Sequence, residues 1–313
     1  MTALTAAEKK GLWLGLLGVT LFAATLPMTK LAVGTDAQPQ LSAWFVTFGR
    51  AAVAGALSLF YLAFVRHAPG AAQHNVPQGK EWGLLAITAG GVIVGFPLFL
   101  ALALRHVPST HGAVVTGLLP LATAVLGALW FKQKPSKGFW TCAVLGALLV
   151  LGFMVVRAGG VTLHQADAFL IFAMLTGAFG YVGGAALTPT LGAERVICWV
   201  LVMSLPVTVP LALVNAPSGS IATASWWAFV YVALVSMWTG FFAWYKGLAL
   251  GGAVRVSQVQ LVQPFLSMLF AVPLLGERLD AVTVGFAMAV IATVFVGKKM
   301  PVGLPVNLSG EKR

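Results

Sequence analysis

The sequence predicts an all-α integral membrane protein of ten transmembrane helices, arranged as two inverted five-helix repeats. Composition, the spacing of apolar runs and a match between the two halves lead to that architecture. Of 313 residues, 59% are hydrophobic and 9% are charged, and the mean hydropathy is +0.93. A soluble domain carries about 25% charged residues, so this chain uses lipid as its solvent. The formal net charge of +11 would raise the question of nucleic acid in a soluble protein. Here the basic residues lie between or at the ends of apolar runs, without a basic stripe. The expected partner is therefore the lipid bilayer and not nucleic acid.

A spanning helix needs about 20 mostly apolar residues. Ten runs meet that rule, at about 11–33, 41–65, 82–104, 111–131, 138–157, 167–188, 194–214, 226–246, 256–275 and 281–297. The first follows Lys9-Lys10 and exceeds the roughly 7–15 apolar residues of a signal-peptide core, so it reads as an uncleaved first span. Gly, Pro and charged residues mark the short connections, as at Ala37-Gln-Pro39 and Lys132-Gln-Lys-Pro135. The longest loop, about 66–81, leaves no room for a soluble domain. With the N-terminus inside, fourteen Lys and Arg fall on the cytoplasmic side and four on the other, with Arg50 inside the second span. The positive-inside rule then places both termini in the cytoplasm, and the expected location is a bacterial inner membrane.

Residues 1–160 and 161–313 form the two predicted repeats. An ungapped shift of 144 positions superposes Pro120 on Pro264, Thr116 on Gln260 and Thr123 on Ser267. Five spans per half is an odd number, so the second half sits upside down relative to the first. Such an arrangement suits alternating access about a site near the bilayer midplane.

Several stretches resemble the EamA family of the drug/metabolite transporter superfamily. Leu21-Phe-Ala-Ala-Thr-Leu-Pro-Met-Thr-Lys-Leu-Ala32 resembles the family's opening helix, and Phe48-Gly-Arg50-Ala-Ala its Arg-containing second helix. Gln263-Pro264-Phe265 and Leu275-Gly-Glu277-Arg-Leu279 resemble its penultimate helix and Gly-Glu ending. The first half departs from that ending, with Phe131-Lys-Gln133 in its place. The resemblance covers almost the whole chain. It implies ten helices in two repeats and a transporter exporting small metabolites, amino acids among them.

The ninth span carries the clearest polar signal. Ser257, Gln260, Pro264 and Ser267 follow one another at steps of three, four and three, which places them on one face of an α-helix. Gln263 lies at the edge of that face, and Gln258 is expected to point elsewhere. An unpartnered amide in hydrocarbon costs roughly 2–7 kcal/mol, so the stripe should face a cavity or other helices. The plainer alternative is interhelical packing. The substrate site is expected between spans 4 and 9, with Gln260, Gln263, Ser267, Thr116 and Thr123 as polar contacts and Pro120 and Pro264 as helix breaks. Spans 1, 2, 3, 6 and 8 are expected to form its walls.

Trp238 and Tyr245, seven residues apart in span 8, are the preferred aromatic contacts; Tyr181 and Trp44 are further aromatics, and packing is the competing role for all of them. Arg50 holds a permanent charge within a span, which suits either a buried polar network or a substrate anion. Lys30 ends span 1 and can snorkel to the interface.

All eight acidic residues lie at span ends or in loops, and Lys246 and His111 also sit near span ends, so facilitated transport is expected in preference to proton coupling. Cys142 and Cys198 lack metal-ligand spacing, and no catalytic motif stands out. No cofactor or metal and no enzymatic activity are expected. Drug or organic-cation efflux, uptake and an integral membrane enzyme are the alternatives.

Overall fold

The computed structural model describes residues 4–65, 75–107, 116–158, 165–275, 281–297 and 299–303. They form a helical bundle: α1 (Ala6–Ala23), α2 (Thr25–Val33), α3 (Ala43–Val65), α4 (Glu81–Ala89), α5 (Phe96–His106), α6 (Leu119–Trp130), α7 (Lys137–Ala158), α8 (Gln165–Leu191), α9 (Ala193–Val214), α10 (Thr223–Tyr231), α11 (Gly240–Gly251), α12 (Ala253–Ser257), α13 (Gln263–Leu275) and α14 (Ala281–Gly297). Lys134–Pro135 pairs antiparallel with Val302–Gly303, tying the α6–α7 turn to the segment after α14. Among the described residues, seven helical stretches are long and apolar enough to cross a membrane, and Leu119–Trp130, Lys137–Phe153 and Val284–Gly297 are shorter apolar helices. Large apolar side chains such as Phe64, Leu129 and Trp227 point outward, as a bundle in hydrocarbon requires. The Gly276-Glu277-Arg278-Leu279 ending, His111 and most of the loop at 66–81 lie outside the described residues.

Small residues set the closest helix approaches. α1 packs along α11, and α8 packs along α4 and α5. A Cβ on Gly11 would stand 2.4 Å from the Gly251 nitrogen, and one on Gly91 2.5 Å from the Thr176 carbonyl oxygen. The backbones themselves are in contact at both seams, which glycine alone permits. α3 pairs with α9, α7 with α14, and α6 with α12 and the turn that follows it.

Four interruptions break the regular helices. α1 and α2 part at Ala24. Pro27 has no N–H to offer the Ala23 carbonyl four residues back, and that carbonyl instead accepts from the Ser267 hydroxyl. The Leu21 carbonyl accepts from the Tyr231 hydroxyl at 2.8 Å. Gln258–Val262 is a 3-10 turn between α12 and α13. Pro264 cannot donate to the Gln260 carbonyl, and the Gln263 N–H takes that place three residues on. Gly90–Gly95 and Val232–Thr239 are π-helical, with Phe96 donating to Gly91 and Gly240 to Val235, five residues back. These segments end at Gly95 and Thr239, 144 positions apart.

The ends of the bundle are fastened by charge. Thr5 and Glu8 form a reciprocal N-terminal cap on α1, with the Thr5 N–H donating to the Glu8 carboxylate at 2.8 Å and the Glu8 N–H to the Thr5 hydroxyl at 3.2 Å. Glu8 also pairs with Arg255 at the start of the ninth span. The half-buried Lys30 ammonium donates to the Leu104 carbonyl at 2.8 Å, capping the C-terminal end of α5.

Candidate functional site

The helix interruptions converge on two adjoining internal cavities, each of about 20 Å³. That is room for roughly one water molecule. Leu26, Phe96 and Gln263 line both. The first is also lined by Phe22, Thr25, Arg50, Val92, Leu100, Tyr181, Ser236 and Phe241. Thr116, Gly117, Leu119, Pro120, Gln260 and Pro264 complete the second. A larger groove of about 590 Å³ lies between α1, the 3-10 turn and α14, lined by Trp13, Leu16, Val259 and Ile291 with Lys9 as its charged residue. Its apolar walls suit a lipid chain better than a polar solute.

Gln260 lines the second cavity. It is buried, and neither its amide oxygen nor its amide nitrogen makes a well-formed hydrogen bond. Buried polar atoms are nearly always paired, so an amide that faces a cavity without a well-formed bond has capacity left for a further hydrogen bond. The Tyr181 side chain stands within hydrogen-bonding reach of the Gln260 amide and close enough to Arg50 to interact with its charge. Arg50 is 3% exposed, with its Nε unpartnered. At the mouth of the first cavity the Thr25 hydroxyl donates to Ser236 Oγ at 2.9 Å.

The structure thus brings together Gln260, Gln263, Pro264, Thr116 and Pro120, with Arg50 next to them through Gln263. Thr123 is fully buried and donates back to the Leu119 carbonyl at 2.8 Å, a local helix bond. Ser267 is committed to Ala23. Gln258 lines neither cavity; its amide nitrogen donates to the Pro120 carbonyl at 3.3 Å.

Trp238 and Tyr245 line neither cavity. Tyr245 is fully buried against α8, where its hydroxyl donates to the Gly180 carbonyl at 3.2 Å. Trp238 packs edge-on against Tyr61 and Phe242. Trp238 sits within the π-helical segment, so seven residues there are not two α-turns and the two rings point apart.

Thr25, Ser236 and Phe96 are lining residues that sequence reasoning passed over. Two of them had a visible signal: Thr25 precedes Pro27 by two residues, and Ser236 is a hydroxyl inside an apolar run. Phe96 carried none. Among the described residues, no three His, Cys, Asp or Glu side chains stand together as metal ligands.

The model of the EamA-like transporter family matches residues 9–156 and again 164–297. An uncharacterized transporter of Bacillus subtilis (strain 168), YdeK, is 40% identical over 287 residues, covering 91% of this chain and 96% of that protein. A second uncharacterized transporter of the same organism, YyaM, is 24% identical over 281 residues, or 83% of this chain and 85% of its own. A crystal structure of another protein, 16% identical, superposes with a TM-score of 0.71 over 92% of this chain and 96% of that one. At that identity the superposition speaks for the fold alone.

Proposed function

The chain belongs to the EamA-like transporter family and is an integral membrane transporter; from that premise we propose that it exports small polar metabolites by alternating access through the paired cavities. The observation that carries this reading is the buried amide of Gln260, without a well-formed hydrogen bond, facing a cavity shared with Gln263 and Thr116. Gln260 and Gln263 bond the polar part of the substrate. Phe96 and Leu26, present in both cavities, contact its apolar part, a role that the positions of Trp238 and Tyr245 do not suit. Pro120 and Pro264 loosen the two helices that face each other across the site.

Ten spans in two inverted repeats are part of the same proposal. The matching ends of the π-helical segments support it, as does the Gln258–Pro120 bond beside the repeat-related prolines. The pairing of helices fits as well: spans 2, 4 and 5 each pack on their own counterparts 7, 9 and 10, while the pairs 1–8 and 3–6 exchange. Both termini lie in the cytoplasm in this arrangement. Cysteines introduced at the C-terminus and within 66–81 should then label from the same, cytoplasmic side; labelling from opposite sides would overturn the topology.

Among the described residues the carboxylates Glu8, Asp36, Glu81, Asp167 and Glu194 lie at helix ends or in a connection, which favours facilitated transport. Flux in liposomes should therefore be unchanged by an imposed proton gradient. Gln260→Leu should weaken transport at least several-fold with little change in thermal stability. The opposite result, intact transport with lowered stability, assigns Gln260 to packing and removes it from the site.

A further inference from the structure

The first cavity holds a full positive charge that no described carboxylate answers. Arg50 is buried there with its Nε unpaired. Other cations of the bundle do have partners: Arg255 has Glu8, Arg105 has Asp36, Lys246 has Glu194, and Lys30 has the Leu104 carbonyl. Those bonds engage the same carboxylates, and Glu81 accepts from the Thr190 hydroxyl at 2.7 Å. A guanidinium does not shed its proton at any physiological pH. An uncompensated charge in a membrane interior is costly and marks an ion or substrate path.

The polar groups that share the cavity are Thr25, Tyr181, Ser236 and Gln263, all neutral; Tyr181, Ser236 and Gln263 can each donate a hydrogen bond to an anion, and Thr25 donates to Ser236 Oγ, leaving the Ser236 proton for that role. None can balance an ammonium group.

We propose that Arg50, with Thr25, Ser236, Tyr181 and Gln263, forms a carboxylate subsite, and that the substrate is a small organic acid of net negative charge. The inference rests on the reading of the cavities as the transport site. It separates organic acids from zwitterionic amino acids, whose ammonium would find no counter-charge in the cavity once the carboxylate has paired with Arg50, and from organic cations, which Arg50 repels. A carboxylate matches the planar fork of the guanidinium with two parallel bonds.

The test uses the purified full chain in liposomes, with panels of monocarboxylates, zwitterionic amino acids and quaternary ammonium ions as probes. Flux should be confined to the monocarboxylates, and Arg50→Gln should weaken their apparent affinity about 100-fold, the scale of a lost charged hydrogen-bond pair. A buried substitution risks the fold, so the selectivity of the unaltered protein and the Arg50→Lys variant are read alongside. Arg50→Lys keeps the charge but loses the fork; it should preserve the preference for carboxylates with affinity between the other two. Transport of zwitterions or cations without carboxylates overturns the subsite and leaves the transporter reading standing. Unchanged selectivity in a folded Arg50→Gln protein assigns Arg50 a structural role and also overturns it. Absence of flux in all three panels overturns both.

Discussion

The two glycine-packed helix pairs of the bundle are built alike at their seams and differently along their length. In one, α1 and α2 run against α10 and α11, and both rods are interrupted, at Ala24 and at Val232–Thr239. The interruptions touch, through Thr25 and Ser236. In the other, α4 and α5 are interrupted at Gly90–Gly95, but α8 opposite runs unbroken for 27 residues, with Pro189 close to its end. The first pair has two joints side by side; the second has one joint against a strut. Arg50 and the cavity lie between them, with Thr25 and Ser236 on the jointed side and Tyr181 on the strut. A wall that bends facing a wall that holds is a sound basis for opening a site to one side at a time.

The comparison can be broken most severely at the strut. Gly91→Leu would drive a side chain into the Thr176 carbonyl and the Gly180 backbone, where no side chain can give way. We expect a loss of about 3 kcal/mol or more, visible as aggregation on detergent extraction; a monodisperse variant of normal thermal stability would mean that the strut itself yields. At the joint, Pro27→Ala restores an N–H for the Ala23 carbonyl and should straighten the first rod. Transport should slow several-fold with stability unchanged or raised, whereas Pro189→Ala should leave the rate alone. Equal rates in the two variants would remove the mechanical distinction between the pairs. The smallest effect is expected from Ser236→Ala, which parts the two joints by one hydrogen bond worth roughly 0.6 kcal/mol; a thermal-shift measurement with the Thr25→Val partner and the double variant isolates that coupling.

The helical stretches were legible to within a few residues at most ends because the bilayer demands long apolar runs and loops attract charge. Gln260 and Arg50 were legible for the same reason: a polar group inside such a run carries a cost that needs a purpose. The backbone irregularities were not. Gly90–Gly95 and Val232–Thr239 are as apolar as their flanks, and the extra residue of a π-turn leaves no mark in composition. It rotates everything beyond it, which is why Trp238 and Tyr245 separate. The 3-10 turn at Gln258–Val262 did have a cause in view, Pro264, but steps of three, four and three share one face only where the helix stays α-helical through them. Thr123 and Ser267 show the remaining limit. Both are polar and sit at repeat-related positions, yet one bonds within its own helix and the other repairs a proline defect in a neighbour, choices that only the three-dimensional arrangement decides.

The unanswered charge of Arg50 has a kinetic meaning as well. A carrier that closes over an organic acid carries a neutral pair through its occluded state, whereas one that returns empty must enclose a bare guanidinium, a step made slower by the penalty for burying a lone charge. If the carboxylate subsite holds, the return of the empty form would be the slow limb of the cycle, and bound solute would speed it. Vesicles preloaded with unlabelled substrate should take up labelled substrate faster than empty ones. A cell using such a carrier would trade one organic acid for another across its membrane far more readily than it would let either drain away.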